Sequence, residues 1–116
     1  KVTMSEKNKK KAYFIKKTIR TLQLTNAKIL DEAITPKLIT ENKFDVVTAR
    51  ALASASKIIK MSKHLLSKKG KFLLMKGALE KINVEVAQLE NNTYSYTIHK
   101  TKNTETNRHI LEITKK

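Results

Sequence analysis

The sequence contains no cysteine and no tryptophan, one proline and only two glycines. Without cysteine there is no disulfide framework, no cysteine metal site and no thiol nucleophile. No apolar run approaches the ~20 residues of a membrane-spanning helix, and no signal-peptide pattern is visible at Lys1, so the expected setting is the cytoplasm. Acidic residues are scarce as well: 10 Asp and Glu stand against 25 Lys and Arg, a formal charge of +15 over 116 residues. A field of that sign draws in polyanions, and nucleic acid is the natural partner. A coding bias toward AT-rich codons is the competing source of so much lysine, asparagine and isoleucine. Arginine occurs only at Arg20, Arg50 and Arg108, and an arginine kept where lysine is the default hints at a task needing a planar, forked donor. The length suffices for one domain with a single core, but is short for a complete nucleotide-binding α/β enzyme.

Two apolar runs carry most of the structural information. Phe44 to Thr48, running on to Arg50, and Phe72 to Met75, ending at Lys76 and Gly77, have strand length and are separated by a helical pattern, which predicts neighbouring parallel strands. Chemistry in open α/β sheets sits beyond the carboxyl ends of the strands, where Arg50 and Lys76 fall. The stretch Phe72 to Met75 is apolar at every position, as expected when helices cover both sheet faces.

Around these runs, Val2 and Met4 alternate with Thr3 and Ser5 in a short strand that ends at Glu6. Helical spacing of Ala12, Ile15, Ile19 and Leu22 predicts a helix from Asn8 to Leu22, with its lysines left for solvent. Thr25 and Asn26 break that pattern before a second strand, Ala27 to Leu30. Asp31 to Lys43, which holds Pro36, reads as a loop with one helical turn. A helix from about Leu52 to Leu66 has Leu52, Ala55, Ile59 and Leu66 on one stripe, and Gly70 suits a left-handed position closing it. Leu79 to Leu89 reads as another helix. Alternation in Tyr94 to Ile98 and His109 to Thr114 predicts a closing antiparallel pair joined by Lys100 to Asn107. His64, His99 and His109 lack metal-like spacing and read as non-catalytic, and no metal site is expected.

The order strand, helix, strand, loop, strand, helix, strand, helix, strand, strand implies an α/β fold with a doubly wound, mostly parallel sheet. The strings Val2 to Ile15, Phe44 to Ala51, Gly70 to Gly77 and Arg108 to Lys115, in that order, resemble the glucose-inhibited division protein B family, also called RsmG. That family methylates guanine N7 in 16S ribosomal RNA with S-adenosylmethionine. The resemblance implies a class I methyltransferase (Rossmann-like) fold ending in an antiparallel pair, with 16S ribosomal RNA or the small ribosomal subunit as partner.

Carried over position by position, the resemblance places Glu6 where a carboxylate accepts the ribose hydroxyls of the cofactor, a role that suits an acceptor-only side chain. Ile34 and Thr35 match the loop that flanks the adenine. Thr35 stands where the family usually has Glu, and Ala33 where it has Arg, which leaves backbone groups of the loop to serve the base. Arg50 matches a characteristic arginine able to hold the cofactor carboxylate or an RNA phosphate through paired hydrogen bonds. Lys10, Lys76 and Arg108 match basic positions that imply RNA contacts, and Gly77 beside Lys76 permits close backbone approach.

No catalytic side chain is required by this chemistry. Guanine N7 presents a lone pair on the major-groove edge of the base and bears no proton, so alignment alone can carry the reaction. The resemblance also implies that residues 1–116 form a partial methyltransferase domain running from the second strand to the C-terminus. The family's first strand, with its glycine-rich cofactor turn, finds no match in a chain whose glycines are Gly70 and Gly77. With two parallel strand edges left open, such a piece is expected to be inactive alone, to bind S-adenosylmethionine negligibly and to fold poorly or associate. A non-enzymatic basic α/β module that binds RNA or a ribosome is the alternative reading.

Overall fold

The computed structural model describes residues 1–50, 52–102 and 107–116. Within the string that contains it, Ala51 lies outside the described residues, as do residues 103–106 of the segment joining the last two strands. The chain divides into two compact units, Lys1–Thr35 and Pro36–Lys116.

The first unit is a β–α–β element. Strand β1 (Val2–Ser5) pairs in parallel with β2 (Ala27–Leu30), with Val2 opposite Ala27 and Ser5 opposite Leu30. Helix α1 (Lys9–Thr21) connects them. Its start is fixed by Asn8, whose extended backbone and side-chain oxygen accepting the Lys11 N–H at 3.0 Å satisfy one of the unpaired donors of the first turn. Ala12 is buried and Ile15 and Ile19 are half-buried, which marks the inward stripe.

The helix ends at Thr21 with Leu22 as its cap, one residue short of the expected Leu22, and the chain turns away at Gln23. Gln23 has φ 52°, its N–H reaches the Arg20 carbonyl at 3.1 Å, and the Leu24 N–H reaches the Ile19 carbonyl at 3.0 Å. These two bonds make a Schellman closure, whose left-handed position favours glycine. A Cβ-bearing residue held there costs about 1 kcal/mol. Gln23→Gly is therefore expected to stabilise the protein by about that amount. Urea denaturation checks this, and a lowered midpoint contradicts it.

In the second unit, β3 (Phe44–Arg50), β4 (Leu66–Lys76), β5 (Tyr94–Lys100) and β6 (His109–Lys115) form a sheet in the order β3-β4-β6-β5. The β3–β4 pair is parallel, whereas β6 runs antiparallel to both β4 and β5. Helices α2 (Ala55–Ser62) and α3 (Leu79–Val86) follow β3 and β4. Phe72 and Leu74 of β4 and Leu111 and Ile113 of β6 alternate inward. There they meet Ala55, Ile58 and Ile59 of α2 and Ile82 and Val86 of α3 in one buried cluster. On the opposite face Leu73 and Ile110 are half-buried and Met75 is 49 % exposed. The apolar run of β4 thus has one sealed face, not the two expected from its composition. Tyr94 packs at the cluster's margin, and burial, with the Glu90 carboxylate second, raises its phenol above the ordinary value.

Several boundaries differ from the sequence reading. Helix α2 begins only at Ala55, because Ser54 is extended, and it ends at Ser62, whose hydroxyl donates to the Ile58 carbonyl at 2.6 Å. A 3-10 turn over Lys63–Leu65 leads directly into β4. No helical turn occurs in residues 31–43, where residues 36–37 form a simple turn.

Gly70 is a strand residue, not a left-handed cap. It lies where the β3–β4 register shifts between Phe44 and Val46. A Cβ there would come 2.6 Å from Leu66 Cγ and 3.0 Å from the Asp45 carbonyl oxygen. The Leu66 side chain first, and the Asp45 carbonyl behind it, leave no room for a Cβ. Gly70→Ala is expected to cost about 1–3 kcal/mol through overpacking. An unchanged urea midpoint would show instead that Leu66 swings aside freely.

Candidate functional site

In each unit a parallel pair ends beside residues singled out from the sequence. Glu6 follows β1, and its backbone N–H donates to the Leu30 carbonyl at 3.0 Å, so the end of β2 holds it in place. Its Oε2 accepts the Asn8 N–H at 3.1 Å, which fixes the carboxylate at the start of α1 and leaves it lone pairs for a further donor. The segment after β2 starts at the same end of the pair, where the Ser5 hydroxyl donates to the Glu32 carbonyl at 2.7 Å. Ile34 there is half-buried and Thr35 exposed, while Lys10 is exposed in the first turn of α1.

The four-stranded sheet gathers a second group at one end. Arg50 closes β3 opposite Met75, and Lys76 closes β4 opposite His109, which also pairs with Lys100 of β5. Arg108 immediately precedes β6. The antiparallel return of β6 therefore brings Arg50, Lys76, Lys100 and Arg108 to one edge, from three widely separated parts of the sequence. Arg50, Lys100 and Arg108 are exposed there.

Lys76 is different. Its ammonium donates to the Ala53 carbonyl at 2.9 Å and meets Glu85 Oε1 at 2.9 Å, with the two side chains only 12 % and 19 % exposed. The same Glu85 oxygen accepts the Ala55 N–H at 2.7 Å, at the start of α2. Two of the three lysine donors are thus used inside the protein, and the expected ammonium facing an incoming nucleic acid is instead a brace. It joins the end of β4, the loop after Arg50 and α3. Sequence reasoning missed Glu85, because nothing local to it signals a partner on β4.

His109 is buried, and its Nδ1 lies 2.7 Å from the Gly77 carbonyl. The carbonyl can only accept, so Nδ1 carries the proton and ties β6 to the turn after β4. A Cβ at Gly77 would meet only the Asn107 carbonyl, at 3.8 Å. Among the described residues no contact demands glycine at that position. His64 bonds the Leu38 carbonyl at 2.7 Å through Nε2, and His99 lies 3.3 Å from Glu112. Among the described residues no group of three His, Asp or Glu is placed to hold a metal ion, and no helix is long and apolar enough to cross a membrane.

Helix-connected parallel strands, closed in the second unit by an antiparallel strand beside β4, are those of the class I methyltransferase fold. Solved structures share it. An rRNA methylase from Streptococcus thermophilus superposes with a TM-score of 0.68 over 99 % of this chain and 73 % of its own, at 14 % identity. A methyltransferase from Streptococcus mutans, solved with S-adenosylhomocysteine (SAH), gives 0.66 over 100 % and 76 % of the two chains, at 13 % identity.

Sequence comparison is narrower. Residues 1–111 match the family model GidB, rRNA small subunit methyltransferase G, and the chain belongs to that family. Ribosomal RNA small subunit methyltransferase G of Brachyspira hyodysenteriae is 35 % identical over 115 residues, which are 97 % of this chain and 55 % of the relative. The protein of that name from Laribacter hongkongensis is 33 % identical over 88 residues, 76 % of this chain and 41 % of the relative. The chain spans about half the length of the curated relatives it matches.

Proposed function

We propose that this chain supplies part of an enzyme that methylates guanine N7 in 16S ribosomal RNA, using S-adenosylmethionine. The observation that carries the proposal is the family match across residues 1–111, whose matched strings put Glu6 and Arg50 at strand ends. When bound, the cofactor supplies a methyl group on a positively charged sulfur. Glu6, an acceptor with one oxygen steadied by Asn8, takes the ribose hydroxyls. Ile34 offers an apolar surface to the adenine, and Thr35 with its neighbouring backbone offers polar contacts.

Arg50 holds the cofactor carboxylate or an RNA phosphate with its forked guanidinium. Lys10, Lys100 and Arg108 neutralise phosphates, while Lys76 acts through the brace that fixes the loop after Arg50. Guanine N7 needs no base to activate it, so the work of the protein is to align base and methyl group. Alignment of this kind contributes up to ~7–11 kcal/mol.

Mapping N7-methylguanine in 16S ribosomal RNA from cells with and without the gene tests the proposal. Loss of one modified guanine on deletion is the expected result. An unchanged map overturns the enzyme reading and leaves a basic RNA-binding module.

A further inference from the structure

Helix α1 concentrates positive charge with no acid of its own: Lys9, Lys10, Lys11, Lys16 and Lys17 lie within it, and its first turn has no acidic residue. Among the described residues the only ion pair within 4 Å that this helix makes is Lys16 with Asp31, at 3.9 Å, and both side chains are well exposed. Into this charge are set two large rings, Tyr13 and Phe14, which are 69 % and 68 % exposed.

At about 3.6 residues per turn, the inward stripe of Ala12, Ile15 and Ile19 leaves Lys10 and Lys17 near the centre of the opposite face, with one ring on either side. Lys10 lies three and four positions before the rings, and Lys17 four and three positions after them, so both ammonium groups neighbour both rings. A single exposed ring needs no explanation. Two adjacent rings bracketed by unneutralised lysines form a patch whose apolar and charged parts must be satisfied together. An apolar protein surface laid over the rings would strip water from Lys10 and Lys17 without offering them a counter-charge from this helix. Single-stranded nucleic acid satisfies both, because its bases stack on the rings while its phosphates neutralise the lysines.

We propose that the outward face of α1 is a docking platform for single-stranded RNA, with Tyr13 and Phe14 as stacking surfaces and Lys10 and Lys17 as phosphate contacts. This rests on the reading of RNA as the partner and adds where an unpaired stretch of that RNA lies. Stacking requires unpaired bases, so the platform prefers single strands to duplex.

The test is fluorescence anisotropy of a labelled oligoadenylate, alone and annealed to oligouridylate, with the full-length protein over a range of salt concentrations. Tyr13→Ala and Phe14→Ala are each expected to weaken single-strand binding about tenfold. Their salt slope should be unchanged, and Tyr13→Phe should retain affinity. The exposed pair Lys10→Gln and Lys17→Gln should flatten the slope of log affinity against log salt by about 0.7 per residue. Unchanged single-strand affinity in Tyr13→Ala/Phe14→Ala overturns the proposal, and a fall in thermal stability alongside it shows that the rings pack within the protein. If the ring variants do not fold, an unchanged salt slope in the lysine pair overturns it equally. Binding is read without methyl transfer, so ring-dependent binding by a protein that methylates nothing sinks the enzyme reading and leaves this one standing.

Discussion

Replacing Arg50 with alanine in the full-length protein is expected to lower methyl transfer about a hundredfold. That is the loss of a charge-assisted pair of hydrogen bonds worth roughly 2–3 kcal/mol. The residue ends β3 on the edge where Lys100 and Arg108 also project, and its guanidinium is exposed. Arg50→Lys keeps the charge and loses the fork, so an intermediate loss is expected. Lys63→Ala serves as the control, since Lys63 lies at the far end of α2 from Arg50. Single-turnover rates with saturating RNA and cofactor decide the matter. Equal rates for Arg50→Ala and Lys63→Ala would remove Arg50 from the site.

Glu85→Ala is expected to destabilise the protein by about 2–3 kcal/mol, because it strands the Lys76 ammonium and leaves the Ala55 N–H without its acceptor. The cost falls below the ~3–5 kcal/mol of a broken, fully buried pair, since neither side chain is fully enclosed. Lys76→Met, which removes the donor to the Ala53 carbonyl, should cost less, and the double variant Lys76→Met/Glu85→Ala should cost less than the sum of the two. Urea denaturation measures all three. Additive losses would show that the two groups act independently. Lys76→Met should also leave the salt dependence of RNA affinity unchanged, whereas Arg108→Ala should reduce its slope by about 1. A flattened slope in Lys76→Met would restore that residue to the RNA contact it was expected to make.

Much of the fold was legible because hydrophobic periodicity reports burial. Ala12, Ile15 and Ile19 located α1, and alternation across His109 to Thr114 located β6 together with its antiparallel sense. Legibility failed where backbone meets backbone. Gly70 follows a helical pattern and so looks like a cap, since the sequence cannot show the Asp45 carbonyl that approaches it from β3. Helix α2 was read too long because Leu52 continues the apolar stripe even though the chain there is not yet helical.

The site divides along the same line. The strand-end positions of Arg50 and Glu6 could be read because each closes a recognisable strand within a matched string. The fate of Lys76 could not be read, because its partner Glu85 sits on a different element. Tyr13 and Phe14 fell outside the reading for the opposite reason: helical spacing assigns rings to an inward stripe or to none, and says nothing of rings set among lysines.

Among the described residues of the second unit, β3 lies at the margin of its sheet, with β4 paired along one side only. An open row of amide and carbonyl groups is a template for any extended chain that meets it. Copies of these 116 residues are therefore expected to stack laterally along that row at high concentration, opposed by the mutual repulsion of their lysines. Added salt, by screening that repulsion, is the condition under which turbidity should first appear.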